Sequence, residues 1–398
     1  MFSSRLPPQI EANLISRAAR RLRDAGTAVV DLTESNPTRA GFTYPANLLD
    51  GLSDRHAFDY APEPFGHPMA RAAVAADYAR RGTRVDPAHV VLSASTSEAY
   101  SWIFKVLCDP GDGVLVPQPS YPLFEQLTSL EAARLIPYRL TYHGRWEIDL
   151  DSIALAPAGV RALLLVSPNN PTGSYVSTQE AARLRSICRE RGWAIVADEV
   201  FADYALDGAP HPTEVAQGPD VLSFTLGGAS KALGLPQVKL AWTVVDGPAD
   251  VRDQALARLE LVADAFLSVG TPVQLAAPAL LDRGETIRRQ IRDRLSRNLA
   301  AARELVGTQP SCSLLDVEGG WSVVIRVPAV ATEEAIVLDL LDRAHILVHP
   351  GYFFDFPSEA FLVVSLLPPA DVFADAFTRM LAVVSRSPSG HRTIDRKA

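Results

Sequence analysis

Six short apolar runs punctuate the chain: Val90-Val91-Leu92, Val114-Leu115-Val116, Leu163 to Val166, Ala194 to Ala197, Val221 to Phe224 and Leu240 to Val245. Their apolar positions are consecutive rather than alternate, the pattern of strands covered on both faces. Segments of helical spacing, such as Thr96 to Cys108 and Thr178 to Arg191, lie between several of them. The alternation predicts an α/β domain over residues 46–285, with a mostly parallel sheet covered by helices. A charged stretch rich in Arg, Ala and Leu from Pro272 to Val306 reads as one long helix, with Gly284 its sole early glycine. Beyond it, Trp321 to Val327, Ile346 to Val348 and Phe361 to Leu367 look like strands split by two helical patterns. They predict a smaller α+β domain over residues 286–398. The first 45 residues hold one helix and the turn Ser35-Asn36-Pro37-Thr38, and are expected to pack on that smaller domain. No repeat, low-complexity tract or Gly/Ser linker interrupts the pattern.

Charge and composition then narrow the function classes. With 38 Lys+Arg against 46 Asp+Glu the chain is acidic, at −8, and has no basic run to serve nucleic acid or an anionic membrane. No apolar run approaches the roughly 18 residues of a membrane span. The stretch from Met1 to Gly26 is polar and Arg-rich, without the apolar core of a secretory signal. Three scattered cysteines, Cys108, Cys188 and Cys312, have no metal-ligand spacing and suit a reducing compartment. A cytoplasmic protein is expected. One count inside the basic total is informative: only Lys105, Lys231, Lys239 and Lys397 are lysines. Where positive charge is otherwise supplied as Arg, a lysine suggests amine chemistry, because guanidinium stays protonated and is not a practical nucleophile.

In an open parallel sheet, ligands bind beyond the carboxyl ends of the strands. Three runs end there on chemistry-bearing residues. Leu163 to Val166 exits into Ser167-Pro168-Asn169-Asn170-Pro171-Thr172-Gly173, Ala194 to Ala197 into Asp198-Glu199, and Val221 to Leu226 into Gly227-Gly228-Ala229-Ser230-Lys231. Each alone also reads as a turn, a helix cap or a loop. Together they bring an amide, a carboxylate and a rare lysine to one crevice. At the first crossover, Ser95 and Thr96 open a helix whose free amides could hold a phosphate. Tyr121, in Pro119-Ser120-Tyr121-Pro122, offers a ring on which a planar ligand could stack. The set asks for a flat ring bearing a phosphate, a ring nitrogen that wants a carboxylate and a carbonyl that condenses with an amine. Pyridoxal 5'-phosphate meets each demand. Asp198 would keep the pyridine nitrogen protonated; Lys231 would hold the aldehyde as a Schiff base and later move the proton.

The motifs carry a resemblance. Ser167 to Gly173, Ala197-Asp198-Glu199-Val200-Phe201 and Ser230-Lys231-Ala232-Leu233-Gly234-Leu235-Pro236 resemble the class I/II aminotransferases, PLP enzymes of fold type I. Tyr60 to Gly66 and Asp109-Pro110-Gly111-Asp112 match in order too. The resemblance implies that Asn170 contacts the cofactor's ring oxygen, that Tyr121 stacks on the ring, and that Ser95, Thr96 and Ser230 hold the phosphate. It further implies a homodimer in which Tyr60 reaches the partner subunit's phosphate, and a small-molecule amino donor and keto acceptor as substrates. A PLP-dependent lyase or decarboxylase on the same scaffold is the alternative, with a non-catalytic PLP-binding protein behind it.

Three positions depart from the family pattern. Phe201 stands where a tyrosine is frequent. Lys239 replaces an arginine expected to clamp the phosphate, keeping the charge but losing the bidentate fork. Val363 stands where an arginine grips the substrate α-carboxylate. Arg39, in the Asn36-Pro37-Thr38-Arg39 loop, and Arg326, after the Trp321 strand, are the expected substitutes; otherwise the substrate lacks an α-carboxylate.

Overall fold

The computed structural model describes residues 2–7, 11–206, 218 and 220–385; Met1 and Lys397 lie outside them. The six apolar runs become strands of one eight-stranded sheet. Its members are β1 (Val90–Ser93), β2 (Gly113–Gln118), β3 (Arg134–Tyr142), β4 (Trp146–Ile148), β5 (Val160–Val166), β6 (Ala194–Asp198), β7 (Ser223–Gly228) and β8 (Ala241–Asp246). They lie in the order β1-β8-β7-β6-β5-β2-β3-β4. The centre, β7-β6-β5-β2-β3, is parallel; β8 runs antiparallel to both β1 and β7, and β4 antiparallel to β3. The hairpin β3-β4 was not foreseen. Its strands alternate polar and apolar positions at the sheet edge, so they lack the continuous apolar run that marks a doubly covered strand.

Buried clusters cover both faces of the sheet. Leu115, Leu163 and Ile195 pack on one side, and Val114, Leu164 and Val196 on the other, the two-residue alternation that a pleated strand imposes.

The predicted helices form with local signals at their ends. Helix α1 (Leu14–Asp24) is capped by Asn13, α2 (Pro68–Arg80) carries proline in its first turn, α3 (Thr96–Leu107) is capped by Ser95, and α4 (Thr178–Arg191) starts with a Ser177/Glu180 capping box and stops at the left-handed Gly192. The single helix expected from Pro272 to Val306 is two, α5 (Thr271–Arg283) and α6 (Glu285–Gly307). They separate at Gly284, where a Cβ would lie 2.2 Å from Leu233 Cδ2 and 2.9 Å from the Leu280 carbonyl oxygen. Close approach to Leu233, two residues beyond Lys231, thus explains the glycine.

After α6 comes an antiparallel sheet of β9 (Ser313–Leu314), β10 (Ser322–Arg326), β11 (His349–Pro350) and β12 (Phe361–Ser365), in the order β9-β10-β12-β11. Val30–Asp31 runs parallel to Ile346–Leu347, and the Ser365 hydroxyl donates to the Glu34 carbonyl at 2.6 Å. Those contacts bring Thr33 and Ser35 beside the second sheet. Underneath, Arg288 of α6, 1% exposed, pairs with Asp77 of α2 at 3.4 Å, and Arg80 bridges Asp77 at 3.0 Å and Asp203 at 2.7 Å.

Candidate active site

The parallel strands β5, β6 and β7 end in one row, with Val166 opposite Asp198 and Asp198 opposite Leu226. Ser167 donates its amide to the Asp198 carbonyl at 2.9 Å, and Glu199 donates to the Leu226 carbonyl at 3.0 Å, which fixes where each strand turns away. Above this row opens a cavity of about 420 Å³ bounded by the large sheet, the N-terminal segment and the small sheet.

Asp198 is buried in its floor. The Tyr100 hydroxyl donates to Oδ2 at 2.8 Å and the Val200 amide to Oδ1 at 3.1 Å. Burial pushes the carboxyl above its usual range, while these two donors and the Lys231 charge act against that shift. Lys231 follows β7 on the one-turn helix Ala229–Ala232. Its carbonyl accepts from the Tyr204 hydroxyl at 2.6 Å, which anchors the backbone. Its amine lies 4.9 Å from the Trp321 ring centroid and 5.5 Å from that of Phe201. Burial among these rings lowers the amine to about 8, with Asp198 pulling the other way. An appreciable neutral fraction near neutral pH makes it a nucleophile for a carbonyl.

Ser95, Thr96, Tyr121, Asn170 and Ser230 also line the cavity. The Ser95 hydroxyl caps α3 by accepting the Glu98 amide at 3.2 Å. Of the paired asparagines, Asn169 is spent on structure: its Nδ2 donates to the Pro119 carbonyl and Thr172 Oγ1, and its Oδ1 accepts from Ser120. Asn170 faces the cavity with no hydrogen-bond partner among the described residues. Gly173 closes this turn at φ +71°, where a Cβ would sit 2.3 Å from Val317 Cγ2.

Four expected site residues do not line the cavity. Tyr60 is 78% exposed, and Lys239 is exposed just after the turn Pro236–Val238. Arg39 ends the 3-10 turn Pro37–Arg39 with its side chain exposed, although Ser35, four residues earlier, reaches the cavity. Arg326 is exposed at the far end of β10, opposite Phe361. Ser322 at the other end of that strand faces the cavity, and four residues of strand carry Arg326 about 13 Å away. Val363 does line it and is buried.

Sequence reasoning missed Tyr100, Trp321 and His349. Tyr100 was legible in part, because long helical side chains point back toward the N-terminus and it lies just over one turn beyond the Ser95 cap. Nothing local marks His349; only the pairing of β11 with β12 brings it opposite Val363.

Architecture and site together define a fold type I enzyme built around an amine and a buried carboxylate. The family model for aminotransferase class I and II matches residues 28–372, and the chain belongs to that family. It is a transferase of a PLP-dependent family. Among its relatives, the glutamate-pyruvate aminotransferase AlaA of Haemophilus influenzae is 27% identical over 380 residues, 93% of this chain and 94% of that protein. The alanine aminotransferase of Mycobacterium tuberculosis H37Rv is 27% identical over 380 residues, 92% of this chain and 88% of its own length. The crystal structure of an aminotransferase from Escherichia coli superposes with a TM-score of 0.86 at 27% identity, covering 97% of this chain and 99% of that one. No helix among the described residues is long and apolar enough to cross a membrane.

Proposed function

We propose that this aminotransferase binds PLP in the cavity above Asp198, and that a cytoplasmic homodimer transfers an amino group from an amino acid to a keto acid. One observation carries the reading: a desolvated amine and a buried, hydrogen-bonded carboxylate face one cavity from adjacent strand ends. The residues fit the cofactor. Asp198 would hold the ring nitrogen, the unpartnered Asn170 amide the ring oxygen, and Tyr121 would cover a ring face. Ser95, Thr96 and Ser230 would hold the phosphate at the start of α3. When bound, the cofactor supplies an aldehyde for the exchanged amine and an electron sink for the α-carbon.

The chain's own residues supply the remaining steps. Lys231 would hold the cofactor's aldehyde and, tethered beside the site, would move the proton at the substrate α-carbon. Asp198, buried and fixed by Tyr100, would keep the ring nitrogen protonated. Trp321 and Phe201 exclude water from the Lys231 amine. Phe58, 93% exposed, and Tyr60 lie outside the cavity where a second subunit would cover them.

Incubating the holoenzyme with alanine or glutamate tests this directly. The expected result is conversion of the bound cofactor to its amine form, with keto acid released. A lyase or decarboxylase would return the aldehyde form instead, and would overturn the reading.

A further inference from the structure

One face of the small sheet forms part of the cavity wall. Ser322 of β10 is opposite Ser365 of β12, and Val363 of β12 is opposite His349 of β11. All four line the cavity. Strand alternation requires this, since residues two apart share a face.

Two facts single out His349. First, among the described residues lining the cavity, only Lys231 and His349 can carry positive charge, and Lys231 is committed to the amine chemistry. Second, the imidazole is wedged between the rings of Phe353 and Phe354, with centroids 5.8 and 5.6 Å away, and makes no hydrogen bond among the described residues. A partly buried polar ring without a partner costs stability unless a ligand completes it.

We propose that His349 is the contact for the substrate carboxylate, taking up a proton as an α-amino or α-keto acid enters and pairing with it as an imidazolium. This rests on the aminotransferase reading above and supplies the substrate anchor absent at Val363. Burial holds the imidazole below its ordinary value, which favours the neutral form near pH 7. Asp31 acts in the opposite direction, itself tied to Arg23 at 2.9 Å. Lys231 and Asp198 line the same cavity. Behind the strand, Glu333 is occupied by the Tyr352 and Phe361 amides. Val363, Phe353 and Phe354 add no charge. An entering carboxylate therefore meets a neutral ring in a dry wall and raises its proton affinity. This site binds acids only by taking up a proton, whereas a permanent guanidinium would bind without one.

The test uses holoenzyme and two probes without an α-hydrogen, so that binding is read without turnover: 2-methylalanine and its uncharged counterpart 2-amino-2-methylpropan-1-ol. Calorimetry in buffers of different ionisation enthalpy counts the protons. The amino acid should take up about one proton more than the alcohol at pH 7.5, and the ratio of its Kd to the alcohol's should rise about tenfold per pH unit above the free imidazole's titration. In His349→Phe the extra proton and the pH slope should vanish, with amino acid binding weakened about tenfold or more and alcohol binding changed less than about threefold. His349→Gln, polar but not titrating, should lose the extra proton as well. Unchanged absorbance of the bound cofactor verifies that both variants retain the site. Equal proton counts for the two probes in the wild type overturn the proposal, as does persistence of the extra proton in either variant. The aminotransferase reading fails separately, if alanine and glutamate never convert the cofactor to its amine form.

Discussion

At the scale of single residues, the chemistry rests on desolvation balanced by a few placed donors. Burial works against the Asp198 charge, and Tyr100, the Val200 amide and Lys231 work for it. Asp198→Asn preserves shape but removes the charge, and should retain cofactor while lowering kcat on the order of 10² or more; steady-state kinetics check this. Lys231 gives a pH prediction for the apo protein. Its amine is depressed to about 8 in the folded state and titrates at its ordinary higher value when unfolded. Between the two the unfolded chain binds more protons, so this residue's contribution makes stability rise with pH over that window. Urea unfolding of apo Lys231→Met should show a smaller rise between pH 8 and 10 than the wild type. Borohydride reduction of the holoenzyme followed by peptide mapping should place the pyridoxyl group on Lys231; Lys105, paired with Glu131 at 2.6 Å on α3, should stay unmodified.

At the scale of elements, ion pairs tie the helices beneath the site to the loop that follows Asp198. Arg288 joins α6 to Asp77 of α2, and Arg80 joins α2 to Asp203. Two residues of this set, Arg288 and Asp77, are almost wholly buried, so removing Arg288 takes one cation from the buried Asp77 carboxylate and leaves Arg80. Arg288→Met should cost about 1.5–3 kcal/mol in chemical unfolding, because Arg80 still pairs with Asp77, with a smaller fractional effect on kcat of the protein that remains folded. None of this was visible in the Arg-rich pattern of residues 272–306, which merged α5 and α6 into one helix. Periodicity continues smoothly across Gly284; what parts the helices is a steric contact with Leu233, from a different stretch of chain.

At the scale of the whole molecule, the exposed Phe58 and Tyr60 belong to a segment that a second subunit would cover. Sedimentation should give a dimer, and Tyr60→Ala should raise the Kd for the cofactor about tenfold, the loss expected for a hydrogen bond to a charged phosphate. A monomer with full activity would contradict that arrangement. The sequence by itself determined the central strands, the helices capped by Ser95 and Ser177, and the convergence of Asn170, Asp198 and Lys231. Each follows from local rules: doubly covered strands are continuously apolar, caps satisfy free amides, and ligands sit at carboxyl ends of parallel strands. Only the tertiary structure decided that Arg39 and Arg326 stay outside the cavity while His349 enters it. Strand pairing between segments far apart in sequence sets which residues share a face, and no local pattern around His349 encodes its pairing with Val363.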